Sequence, residues 1–123
     1  MAQAGFWVAW GIPTLGRERQ ALALLQESRD YLRGLEDAGT IEKASIAVLR
    51  PQSIELGGFI LIEGSVAQID ALRRDADFSS WLNRVQLVAG KVGFVDAWVN
   101  DGLDEAIDLY DRALRRLDGN ETG

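Results

Sequence analysis

The order in which the hydrophobic period changes along the chain constrains its fold more than any single motif does. GFWVAWGI, residues 5 to 12, is a run of aromatic and branched residues closed by Pro13 and Gly16, and it reads as a strand. From about Arg17 to Ala38 the period becomes helical. Ala21, Leu22, Leu24, Leu25, Ser28, Tyr31, Leu32 and Leu35 share one side, charged residues hold the other, and Gly39 supplies the stop. IEKASIAVLR (41 to 50) and GFILIEG (58 to 64), joined by PQSIELG, predict a hairpin. Ser65 with Gln68 has the form of a capping box opening a short helix buried through Ile69 and Leu72. Asp75 and Asp77 are expected helix caps, Asp77 of a further turn or two that buries Phe78, Trp81 and Leu82. A fourth strand is expected over roughly Val85 to Val99. Leu103 to Leu117 predicts a last amphipathic helix, with acids early and Arg112, Arg115 and Arg116 late, as the helix dipole favours.

The resulting order, βαββαβ followed by an extra helix, is that of the split βαβ motif. The fold class is therefore α+β: a ferredoxin-like four-stranded antiparallel sheet with helices on one face, plus a C-terminal helix. At 123 residues one domain accounts for residues 1–123, with an ordered core of about 5–117. Strict alternation assigns Ile60, Ile62, Val95, Ala97 and Val99 to the helix side. It leaves Phe59, Leu61, Glu63, Phe94, Asp96 and Trp98 on the other face. Either Trp7 or Trp10 joins that second face from the first strand. Such a face is too apolar to meet water alone, so a second copy of the chain is expected to cover it, giving a homodimer or a higher oligomer.

What the chain lacks narrows its chemistry. It has neither cysteine nor histidine, which removes thiol nucleophiles, thiolate metal sites, the usual neutral-pH general base and most zinc, haem and non-haem iron sites. No metal or cofactor is expected. A net charge of −6, from 19 acids against 13 bases, disfavours nucleic acid or an anionic membrane as the main partner. With no long apolar run and no leader-like segment, a cytoplasmic location is expected. Asn120, Glu121 and Thr122 have the form of a glycosylation acceptor, without a secretion signal to give it weight.

The segments FWVAW, YLRGLEDAGTIE (31 to 42), GGFILIEG (57 to 64) and RRDADF (73 to 78) resemble the dimeric α+β barrel superfamily, most closely its YCII-related branch. The resemblance runs from about Phe6 to Val99. It implies two ferredoxin-like subunits whose sheets close around a shared barrel. In that branch the last segment resembles an Asp-Pro-Phe or Asp-Pro-Tyr element, whose Asp pairs with a His in a proposed catalytic dyad. Asp75 matches the acid, Ala76 stands where the Pro would be, and Phe78 falls one place late. Without a histidine the dyad cannot form.

The candidate catalytic residues are Asp96 and Glu63, two acids on one apolar face with Phe59, Phe94 and Trp98 around them. In such a cavity each would raise the other's pKa and leave one poised as an acid or base. The alternative is that both accept hydrogen bonds from Arg50, Lys43 or an indole N–H. Trp98, Phe94, Phe59, Trp10 and Arg50 are the candidate ligand-binding residues. Two functions fit: binding or transforming a small organic molecule in the barrel cavity, or a non-catalytic structural or protein-interaction dimer.

Overall fold

The structure, a computed structural model, describes residues 2–50 and 55–119. Part of the PQSIELG connection and the Asn120 triplet lie outside the described residues. The elements are β1 (Ala4–Trp10), α1 (Glu18–Asp37), β2 (Lys43–Val48), β3 (Gly58–Gly64), α2 (Val66–Arg74), α3 (Ala76–Val88), β4 (Gly93–Trp98) and, after a short 3-10 turn at Asn100–Gly102, α4 (Leu103–Leu117). The sheet order is β2-β3-β1-β4, with every neighbouring pair antiparallel. This is the arrangement that the split βαβ order demands. The first strand begins earlier than expected, at Ala4, and Ala2 before it is buried.

The capping box forms: the Ser65 hydroxyl accepts from the Gln68 N–H at 3.1 Å, and the Gln68 side chain accepts from the Ser65 N–H at 2.8 Å. The helix after it departs from expectation in its length. Of the two expected caps, Asp75 and Asp77, Asp75 takes the role, its carboxylate accepting from the Phe78 N–H at 2.9 Å. The helix continues for 13 residues to Val88, because Phe78, Trp81 and Val85 keep the helical spacing and all three are buried. The expected fourth strand is shortened accordingly.

α2 packs on β1 and β3, and α1 packs on β2 and α3. Phe6, Val8, Ile60 and Ile62 from the sheet meet Leu24, Leu32, Ile69, Leu72, Phe78 and Trp81 from the helices in one core. Phe6 lies edge-on to Phe78 at 5.6 Å, and Phe78 is 5.5 Å from Trp81, so aromatic contacts link the central strand to α3.

The pairing of β4 with β1 overturns the expected faces. Ala4 lies opposite Trp98, Phe6 opposite Asp96 and Val8 opposite Phe94, and residues directly opposite share a face. Phe94, Asp96 and Trp98 therefore stand on the helix side with Phe6, Val8, Ile60 and Ile62. Val95 and Ala97 join Trp7, Phe59, Leu61 and Glu63 on the outer face. Both alternating sets of this strand are largely apolar, and a slip of one residue exchanges them. β4 is moreover an edge strand, and Phe94 and Trp98 on it stay 42% and 48% exposed. Strand one is resolved as Trp7 outward and Trp10 on the helix side.

Candidate functional site

A cavity of about 350 Å³ opens between the sheet, α1 and α3. Val8, Trp10 and Ile60 form its floor, Ala21, Leu22, Leu24 and Leu25 one wall, and Trp81, Val85 and Val88 the other. Close backbone approach sets Trp10 in place. A β-carbon on Gly58 would lie 2.6 Å from Cζ2 of the Trp10 ring, so the Gly57-Gly58 pair leaves the space that the indole occupies. Leu22 is 54% exposed and lies on the open side of the wall.

The polar content of this lining is small. Ser28, buried in α1, donates from its hydroxyl to the Leu24 carbonyl at 2.6 Å and accepts from the Trp81 indole N–H at 2.7 Å. That pair of bonds joins the two helical walls. Glu18, in the first turn of α1, brings an exposed carboxylate to the lining. Tyr31, packed 6.0 Å from Trp81, lies outside the lining. Burial, and after it the Asp75 and Asp77 charges, raise its pKa above the usual 10.0.

The residues expected to form one acidic site are separated. The Asp96 side chain is 57% exposed and accepts from Arg73 at 2.8 Å, and Arg73 also bonds Asp70 at 2.9 Å. This surface triad borders a second hollow of about 260 Å³ with Trp98 and Glu105. Glu63 stands on the opposite face, half-buried, where it accepts from the Asn100 amide at 3.0 Å. The two acids therefore share no cavity.

Phe94 leans on Phe6 at 5.9 Å on the helix side, while Phe59 meets Trp7 at 6.2 Å on the outer face. Arg50 is exposed and follows Val48 and Leu49, both of which line the large cavity. Asp75 is the cap of α3. Of the expected ligand-binding residues, the large cavity takes only Trp10. The residues that the expectation missed are Glu18, Leu22, Leu25 and Trp81. Their one sequence signal is a doubled apolar column on α1, Ala21-Leu22 beside Leu24-Leu25, wider than a single core stripe requires. Among the described residues no cluster of three or more acids is placed to hold a metal ion.

No protein-family model matches the sequence, and no curated protein matches it. Solved structures do match its shape. A dimeric protein of unknown function and ferredoxin-like fold from Bacteroides fragilis NCTC 9343 superposes with a TM-score of 0.59 at 8% identity, covering 80% of this chain and 100% of that one. The chain has a ferredoxin-like fold. The hydroxynitrile lyase from Passiflora edulis reaches a TM-score of 0.56 at 8% identity over 81% of this chain and 96% of its own. A putative antibiotic biosynthesis monooxygenase from Chloroflexus aurantiacus J-10-fl reaches 0.50 at 10% identity, over 79% and 93%. At such identities the likeness is one of ferredoxin-like architecture.

Proposed function

We propose that this ferredoxin-like protein binds a small, mainly apolar organic molecule in the cavity between its sheet, α1 and α3, in subunits that pair through their outer sheet faces. The observation that carries the reading is the cavity itself. At about 350 Å³, with an aromatic floor and aliphatic walls, it falls within the range of ligand pockets, roughly 300–1,000 Å³. Two of the solved neighbours bear names of enzymes, a hydroxynitrile lyase and a putative monooxygenase. The use of this architecture on small organic molecules supports the reading by analogy. The same holds for pairing, since the Bacteroides fragilis neighbour is dimeric. Among the described residues of this lining, Glu18 alone carries an ionisable side chain, so a proton-transfer step in this cavity would fall to Glu18 rather than to Asp96.

Thermal unfolding with a panel of neutral probes such as indole and 1-naphthol tests the proposal. A probe at about 100 times its dissociation constant adds roughly 2.7 kcal/mol of stability and raises the melting temperature by several degrees. Leu25→Trp, which fills the cavity from a wall position, is expected to fold and to lose that response. Failure of every probe to raise the melting temperature, or an equal response in the filled variant, would overturn the assignment.

A further inference from the structure

α4 is the element whose design the cavity does not explain. Its backbone is fixed by a tight approach at Gly102, where a β-carbon would lie 2.1 Å from the Gln3 carbonyl oxygen. Beyond that point none of its 15 residues is buried. Ile107, Tyr110 and Leu117 are 65%, 72% and 83% exposed, and with Leu103 and Leu114 they form one continuous stripe at helical spacing. A soluble helix seldom leaves such a stripe bare.

The order of residues along α4 identifies what would cover it. About Tyr110 the helix is nearly its own reverse: Leu103 and Leu117 stand equally far from the centre, as do Ala106 and Leu114, and Ile107 and Ala113. Charge inverts across the same centre, with Asp104, Glu105 and Asp108 on one side answered by Arg116, Arg115 and Arg112 on the other.

We infer that α4 pairs antiparallel with α4 of a second copy of this chain, about a two-fold axis beside Tyr110. In that arrangement leucine lies level with leucine at both ends, Leu114 and Ile107 lie level with Ala106 and Ala113 of the other copy, and the two Tyr110 residues meet beside the axis. The acidic first half of each helix runs along the basic second half of its mate. A parallel pairing would set acid beside acid and base beside base, which like-charge repulsion opposes. The helix dipole explains early acids and late bases, but it does not explain an apolar sequence that is also symmetric about the midpoint. No residue of α4 lines the cavity, so the contact stands or falls independently of the binding reading.

The absence of cysteine from the chain makes disulfide trapping a direct test. Single Leu103→Cys and Leu117→Cys variants alter exposed positions at the two ends of α4. An antiparallel pair predicts that an equimolar mixture of the two forms a covalent dimer under mild oxidation at least about ten times faster than either variant alone. Equal or faster self-linking of Leu103→Cys would establish a parallel or random encounter and overturn the inference, as would the absence of a cross-linked species from the mixture. A second arm uses charge. The acid-rich variant R112E/R115E/R116E and the base-rich variant D104K/E105K/D108K, in which Asp111 is kept, with helix content confirmed by circular dichroism, should each lose the α4 contact. Mixing them should recover it. Carrying one end cysteine in each, they are expected to cross-link only when combined, and cross-linking of either alone at the wild-type rate would exclude the charge-matched pairing.

Discussion

The Tyr31 hydroxyl is buried without a hydrogen-bond partner among the described residues. Its ring is well used, packed against Trp81. The hydroxyl itself gains nothing from its place and loses its hydration. Burial, followed by the Asp75 and Asp77 charges, opposes formation of the tyrosinate and holds the folded pKa above 10.0. The unfolded chain therefore releases this proton first as pH rises. Tyr31 contributes its full protonation-linked stability below about pH 10, and loses it as pH climbs through the folded pKa. Tyr31→Phe keeps the ring and removes the orphan. Its stability in neutral solution is expected to be unchanged or higher by up to about 1 kcal/mol, and its decline above pH 10 shallower than that of the wild type. Urea unfolding at neutral and alkaline pH reads both, and an equal or steeper alkaline decline in the variant would show that Tyr31 is not the titrating group.

At the scale of elements, α1 and α3 are fastened to each other by Ser28, which bonds both the Leu24 carbonyl and the Trp81 indole. Ser28→Ala strands a buried indole N–H, at a cost of about 1–3 kcal/mol. Urea unfolding should show a lower midpoint with an unchanged slope, and a midpoint equal to wild type would mean that Trp81 finds another partner. α1, α2 and α4 were legible in the sequence because their period and caps are local: Ser65 and Gln68 stand three residues apart and form the expected box, whereas the length of α3 was not. The faces of β4 were not. Whether Asp96 points to the helices or away depends on which residue of β1 it meets, and here it meets Phe6. No residue within GFVDAW encodes that choice, since one alternation holds Phe94 and Trp98 and the other Val95 and Ala97, and both are largely apolar. The candidate site moved for the same reason. An acid within so apolar a strand reads as buried, but β4 is an edge strand and places Asp96 beside Arg73 at the surface. The cavity was half legible: Trp10 was a candidate, but the space around it depends on how α1 and α3 diverge, which no local pattern records.

For the whole molecule, the sheet has one face covered by α1, α2 and α3 and another that these helices leave open. Val95 and Ala97, rather than Phe94 and Trp98, lie on that open face, which is still apolar, with the Trp7 ring tilted against Phe59 and Leu61 opposite Trp7. Pairing through this face would bury each of these residues twice, once in each subunit, so a single substitution there acts doubly. Val95, on the edge strand and 56% exposed, is the position where a charge disturbs the monomer least and the pair most. Val95→Asp would place two carboxylates in an apolar interface without partners, a penalty of several kcal/mol. The expected result in sedimentation is wild-type association at micromolar concentration, and a variant whose association is weakened by at least about tenfold, equivalent to 1.4 kcal/mol. Circular dichroism and an unchanged melting profile at high dilution would show that the subunit itself still folds. A variant that associates as tightly as the wild type would remove the outer face from the interface, leaving α4 as the contact through which copies of this chain meet.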